Sequence, residues 1–136
     1  MKNTPQTKLV LESLKSLGHA TNNELLEAVH AALPDITITS VHRITTRLVQ
    51  EGYAGLAPGR EGVAVIDANP QAHHHFVCRD CYKIKDIELP SGMIATIQSQ
   101  LPREILNGGL AVYGSCKECP GANQIVNQGD MNAPTN

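Results

Sequence analysis

Hydrophobic residues recur with helical spacing in the first part of the chain. The first run begins with Pro5 and ends with Gly18, and its apolar positions are Leu9, Val10, Leu14 and Leu17. The second run follows Thr21 and Glu24, which have the spacing of a capping box. Its apolar positions, before Pro34, are Leu25, Leu26, Val29 and Leu33. This pattern predicts two short amphipathic helices.

A third helix and a β-hairpin are predicted next. The helix spans residues 40–51, with Thr39 or Ser40 as its N-cap, and its apolar positions are Val41, Ile44, Leu48 and Val49. Two short runs, 53–57 and 63–67, flank a glycine-containing turn and indicate a hairpin. Three helices followed by a hairpin are typical of a winged helix-turn-helix, whose third helix enters the major groove of DNA.

The second part of the chain has the sequence patterns of both strands and a helix. Three strands are predicted, over 76–78, 83–88 and 110–113, and a helix over 91–101 lies between the second and the third. The fold class is therefore α+β. The predicted organisation is a winged-helix DNA-binding domain over 1–68, a hinge over 69–72, a dimerisation and metal-binding domain over 73–120, and a disordered tail over 121–136.

Composition narrows the class of protein. With 136 residues, 41% hydrophobic, no Trp and one Phe, each small domain has a thin core, which a metal ion or a second subunit would stabilise. No apolar run is long enough to span a membrane, and the N-terminus lacks a signal-peptide core, so we expect a cytoplasmic protein. The net charge is −2, but residues 1–60 have six Lys/Arg against five Asp/Glu, which permits a DNA-binding first half.

Two Cys-x-x-Cys pairs contain every cysteine of the chain, namely Cys78, Cys81, Cys116 and Cys119. Two such turns supply four thiolates, the tetrahedral set that suits structural Zn(II). Two disulfides or a redox dithiol are the alternatives. The absence of a signal peptide disfavours disulfides, and a thioredoxin-type motif has one pair on a βαβ unit, which this chain lacks. Structural zinc is favoured.

A second metal site is indicated by His73 and His75, because residues two apart on a strand face the same side. Asp86, Asp67 and His19 are the residues best placed to complete it. Three imidazoles and two carboxylates suit Fe(II), Mn(II) or Zn(II). As alternatives, each carboxylate is a solvated surface group and His19 a helix-end residue. His74 faces the other way, and the sequence offers no partners for a further site there.

Cationic residues on the third helix indicate contact with DNA. Arg43 and Arg47 are four residues apart and share one face, where they would reach phosphates or guanine edges, and His42 lies on the same helix. The alternative is an ordinary solvated helix face.

The combined motifs resemble the ferric-uptake-regulator family of bacterial metal-dependent repressors from about Pro5 to Cys119. The most specific parts are His-x-His-x-x-Cys-x-x-Cys, Lys-Ile-x-Asp and Tyr-Gly-x-Cys-x-x-Cys. The resemblance implies structural zinc on the four cysteines. It also implies a regulatory site on His19, Asp67, His73, His75 and Asp86. This set is most similar to the peroxide-sensing branch, in which Fe(II) and peroxide oxidise a histidine ligand, here His19 or His73.

The chain departs from the family pattern in three places. The family's extra N-terminal helix is missing. The family's base-contacting tyrosine and the arginine after it are replaced by Thr45 and Thr46, so the operator should differ. The family's second exchangeable site has lost its ligands at Ala72 and Gly109. If the positions of the family's recognition helix are transferred to this chain, the residues expected to contact DNA are Ser40, His42, Arg43, Thr45, Thr46 and Arg47.

The sequence therefore predicts a homodimeric, cytoplasmic, DNA-binding transcriptional repressor rather than an enzyme. An Fe(II) or Mn(II) ion, with Zn(II) as a further option, would gate operator binding. A zinc- or iron-uptake regulator of the same family is the first alternative. A His/Asp metallohydrolase ranks lower because no general base or nucleophile lies near the ligands. A metal-storage module would leave the helix-turn-helix pattern unexplained.

Overall fold

The computed structural model describes residues 4–117 and 119. The chain divides into two compact units, Met1–Ala72 and His73–Asn136. Both contain helices and strands, which confirms the α+β class. The tail over 121–136, predicted to be disordered, lies outside the described residues. No helix among those described is long and apolar enough to cross a membrane.

The first unit consists of three helices and a three-stranded antiparallel sheet. Its elements are α1 (Pro5–Leu17), β1 (His19–Thr21), α2 (Asn22–His30), α3 (Ile38–Gln50), β2 (Gly55–Arg60) and β3 (Val63–Asp67). The strand order is β1-β3-β2. All three predicted helices are present, and the capping box of Thr21 and Glu24 starts α2 as predicted. The strand β1 was not predicted, because three residues are too few to show an alternating pattern.

The third helix begins earlier than the sequence predicted. Its N-cap is Thr37, whose Oγ1 accepts a hydrogen bond from the Ser40 N–H at 3.1 Å. The prediction of Thr39 or Ser40 as the cap is therefore wrong. Three cap-type residues occur within four positions, and Thr37 is the one whose hydroxyl reaches the N–H three residues later.

One hydrophobic core holds the first unit together. Its fully buried side chains come from every helix and include Val10, Leu14, Leu25, Val29, Val41 and Leu48. Thr45 is also buried, at 2% exposure, and its hydroxyl donates to Asn22 Oδ1 at 2.7 Å. This hydrogen bond fixes α3 against the start of α2.

The second unit is built on a mixed sheet. Its elements are β4 (His74–Cys78), β5 (Ile84–Ile87), α4 (Ser91–Ser99) and β6 (Ala111–Gly114). The central strand β4 pairs antiparallel with β5 and parallel with β6. Its apolar core is small, and among the described residues it consists of Val77, Cys78 and Cys119. Such a core needs another source of stability.

Candidate metal centres

The four cysteines come together in the second unit. One ends β4, one lies in the turn after it, and two follow β6, so the parallel pairing of β4 with β6 brings the two Cys-x-x-Cys turns side by side. All four Sγ atoms lie within 4.8 Å of one another, and those of Cys81 and Cys116 are 3.7 Å apart. Four sulfurs about 2.3 Å from a zinc ion are about 3.8 Å apart in a tetrahedron. A disulfide bond is about 2.05 Å long, and all four cysteines are free. The geometry fits zinc.

Backbone N–H groups surround the Cys78 sulfur. Those of Asp80, Cys81 and Cys116 each donate to its Sγ at 3.4 Å. Burial raises the pKa of the Cys78 thiol, but these donors outweigh burial and lower that pKa to about 6. The first turn is thus shaped for a thiolate before any ion binds.

The thiols of Cys81 and Cys116 ionise less readily beside Cys78. The Lys83 N–H lowers the pKa of Cys81, but burial and the three neighbouring thiols raise it to about 12. Burial and Cys78 likewise raise the pKa of Cys116. Like charges at this separation repel, and a bound dication removes the conflict by stabilising all the thiolates. The donor set and its electrostatics therefore both fit Zn(II).

A second cluster of ligands lies on the same sheet. His75, in β4, is directly opposite Asp86, in β5. Asp86 Oδ1 is 3.5 Å from His75 Nε2 and 3.2 Å from His73 Nε2. The two imidazole centroids are 4.2 Å apart, which confirms that the rings share one side. Two atoms bound about 2.1 Å from one ion are about 3.0–3.4 Å apart, so these three side chains are spaced like ligands.

The first unit contains a smaller pair of the same kind. His19, in β1, is directly opposite Asp67, in β3, and its Nε2 is 3.4 Å from Asp67 Oδ2. Asp67 is 2% exposed, and its other oxygen accepts the Asn69 N–H at 2.9 Å. A buried carboxylate needs such partners. Asn69 was missed as an orienting residue, although Asp-x-Asn at the end of a strand is the signal of an Asx turn.

His74 has a structural contact on the opposite side of β4. Its Nδ1 accepts the Leu110 N–H at 3.0 Å, while the His75 N–H donates to the Leu110 carbonyl at 2.9 Å. Gly109 packs against the main chain at this point, because a Cβ there would overlap the carbonyl oxygen of His73. Gly109, which the sequence resemblance placed where a ligand was expected, thus has no room for a side chain.

Gly109→Ala is therefore expected to disturb the His-x-His segment. The added methyl group must push residue 109 away from His73, which weakens both hydrogen bonds to Leu110. We expect a loss of about 1–3 kcal/mol in unfolding free energy, measured by urea denaturation, together with weaker Mn(II) binding. Gly108→Ala is the matched control, since a Cβ at Gly108 meets nothing within 4 Å. An unchanged Gly109→Ala protein would contradict this packing.

The outward face of α3 carries five of the six residues predicted to contact DNA. His42, Arg43, Thr46 and Arg47 are exposed and Ser40 is half-buried. The sixth residue, Thr45, does not lie on this face, because its side chain is buried against Asn22. The spacing of Val41, Ile44 and Leu48 could have shown this, since position 45 falls on the same helical stripe.

Comparisons with known proteins identify a matching family, a similar sequence and similar folds. The sequence model described as "Ferric uptake regulator family" matches residues 1–106. The peroxide-responsive repressor PerR of Staphylococcus aureus is 25% identical over 119 residues, covering 85% of this chain and 80% of that protein. The Helicobacter pylori ferric uptake regulator Fur, whose structure "reveals three functional metal binding sites", has a TM-score of 0.74 at 21% identity, covering 88% of this chain and 82% of that one. A zinc uptake regulator complexed with zinc and DNA has a TM-score of 0.60 at 19% identity, covering 91% and 87%.

The structural likenesses establish the fold, and the sequence match establishes the family. That match spans most of the chain, including the whole first unit and the His-x-His segment with the first Cys-x-x-Cys turn. It confirms the resemblance that the motifs indicated. This chain belongs to the ferric uptake regulator family.

Proposed function

We propose that this protein is a metal-dependent transcriptional repressor in which one exchangeable ion controls binding to operator DNA. The observation that carries the proposal is a pair of potential metal ligands that occurs in both units. Each unit has a histidine directly opposite an aspartate on the neighbouring strand, His19 with Asp67 and His75 with Asp86. The first unit therefore offers two ligands and the second unit, with His73, offers three, and neither set alone satisfies a five- or six-coordinate ion. If both sets bind one ion, they supply five ligands.

The proposed regulatory ion is Fe(II) or Mn(II). The five ligands are three imidazoles and two carboxylates with no thiolate, a set that these ions and Zn(II) accept. The four cysteines form a separate, closed zinc site that stabilises the second unit and has no free coordination position for sensing. The presence of three metal sites in the Helicobacter pylori relative is consistent with more than one ion per chain.

The DNA-binding element in this proposal is a winged helix. The first unit has three helices with the hairpin β2–β3 after the third, and the outward face of α3 is polar and cationic. A structural relative was solved on DNA. The second unit leaves Met93, Val112 and Tyr113 about half exposed, which supports its use as a homodimer interface. A dimer presents two α3 helices to successive major grooves.

Control by the ion follows from linkage. If the ligands of the two units share an ion only in the arrangement that fits the operator, metal binding favours that arrangement by the difference in affinity. The segment after Asp67 is the proposed hinge. Consecutive hydrogen bonds, from the Asn69 N–H to Asp67 and from the Gln71 N–H to Asn69, give it a defined turn.

Fluorescence anisotropy with DNA from upstream of the protein's own gene tests the proposal. The zinc-loaded protein should bind about 10–100-fold more tightly with Mn(II) than with a chelator that leaves zinc in place. The zinc content is measured in both samples. Equal affinities with zinc retained would refute metal-gated DNA binding.

Peroxide sensing is the second candidate, favoured by the all-nitrogen-and-oxygen ligand set and by the peroxide-responsive relative. One oxygen atom of hydrogen peroxide would enter an imidazole C–H bond of His19 or His73, and the other would leave as water. Peptide mass spectrometry should find one added oxygen on one of these histidines in the Fe(II)-loaded protein and none in the Mn(II)-loaded protein. Absence of the added oxygen with Fe(II) would favour a metal-uptake regulator.

A further inference from the structure

The two arginines of α3 have different surroundings. Arg47 lies in the last turn, where its Nη2 is 3.9 Å from Glu51 Oε2. Arg43 lies one turn earlier and is exposed, and within residues 4–117 and 119 it makes no ion pair. Its guanidinium is therefore available to a ligand, whereas the charge of Arg47 is partly balanced by Glu51.

Helical geometry places Arg43 near the middle of the outward face. Successive residues are rotated by about 100°, so the inward stripe of Val41, Ile44, Thr45 and Leu48 fixes the direction of the rest. Arg43 then lies beside Thr39, Thr46 and Gln50, all of which are exposed. Arg47 is rotated by about 40° from Arg43, so it lies closer to the inward stripe and nearer the edge of the outward face.

The Thr45 side chain is buried and does not lie on the outward face of α3. Its hydroxyl donates to Asn22 Oδ1 and also lies 3.1 Å from the His42 carbonyl, which it can share as a second acceptor. A helix that reads bases therefore needs another side chain with a directional hydrogen-bonding pattern. On the outward face, Arg43 has a planar fork that matches a base edge in two hydrogen bonds.

We infer that Arg43 reads a guanine in the major groove, and that Arg47 contacts a phosphate. This inference rests on the proposed DNA-binding function and gives it a specificity-determining residue. An arginine fork fits guanine O6 and N7 together, and the first half of a recognition helix is the part that reaches base edges. A cation at the far end of the helix, already beside a carboxylate, adds charge to binding without reading sequence.

Selection of binding sites from random DNA, followed by anisotropy on single-base variants, tests the assignment. The metal-loaded protein should select a site with one guanine per half-site whose replacement by adenine costs about 10–100-fold in affinity. Arg43→Gln should reverse that preference, because the glutamine amide pairs with adenine N6 and N7. Arg43→Met should lose the preference without gaining another. Both side chains replace an exposed arginine, and circular dichroism checks that the fold is kept.

Arg47→Gln is the matched comparison. It should weaken binding to all sequences by a similar factor and lower the salt dependence of the affinity. An Arg43→Gln protein that weakens every sequence equally, with the guanine preference intact, would overturn the assignment of Arg43 alone. A metal-loaded wild-type protein that selects no site would overturn the proposed function, and this inference with it.

Discussion

Cys78→Ser is expected to abolish zinc binding and unfold the second unit. The Cys78 sulfur is fully buried and accepts three N–H groups, so no other ligand can replace it. A serine hydroxyl is a poor zinc ligand, and the remaining apolar core is too small to hold the sheet alone. Structural zinc contributes about 10–16 kcal/mol to folding in small zinc domains, which is as large as the whole unfolding free energy of a typical domain.

Zinc content by mass spectrometry and far-ultraviolet circular dichroism measure this result. Zinc should fall from one ion per chain to almost none, with loss of strand signal and of dimer in light scattering. Ser115→Ala is the control, since Ser115 is exposed and precedes a ligand without being one. A Cys78→Ser protein that keeps a folded second unit without zinc would show that the thin core suffices.

His75→Ala is expected to remove control by the regulatory ion while leaving zinc in place. His75 is 5% exposed and pairs with Asp86 across the sheet, so its imidazole is held ready to ligate. Loss of a ligand should weaken Mn(II) binding by at least about 100-fold, since even the partners of ligands contribute 10–100-fold. At a Mn(II) concentration that saturates the wild type, operator affinity should fall to the metal-free value.

Two further variants separate loss of the ligand from loss of the fold. Asp86→Asn changes a side chain that is 56% exposed and should give the same loss of metal response without lowering the melting temperature. His30→Ala changes an exposed histidine at the end of α2 and should leave the response intact. Metal-dependent DNA binding that survives in His75→Ala would exclude this histidine as a regulatory ligand.

Much of this architecture could be predicted from local patterns. The α2 capping box, the strand Val63–Asp67 and the strands flanking the first Cys-x-x-Cys turn follow from spacings within a few residues. The strand β1 could not be predicted in this way, because His19–Thr21 is extended only through its pairing with β3. Tertiary pairing decides such short segments.

The ligand pairs could also be predicted only in part from the sequence. Residue type and spacing indicated His75 and Asp86, but their direct opposition depends on the register of β4 and β5, which no local pattern specifies. The inward position of Thr45 follows from the spacing of Val41, Ile44 and Leu48 in α3, although the family resemblance implied a DNA contact there. The close approach of Gly109 to His73 depends on strand geometry alone.

The central claim is that ligands from both units bind one exchangeable ion. Isothermal titration of the zinc-loaded protein with Mn(II) tests it most directly, using His19→Ala in the first unit and Asp86→Ala in the second. The wild type should bind one Mn(II) per chain, and both variants should weaken that same binding event. Two independent Mn(II) ions in the wild type, or a variant that leaves the affinity unchanged, would contradict the shared site.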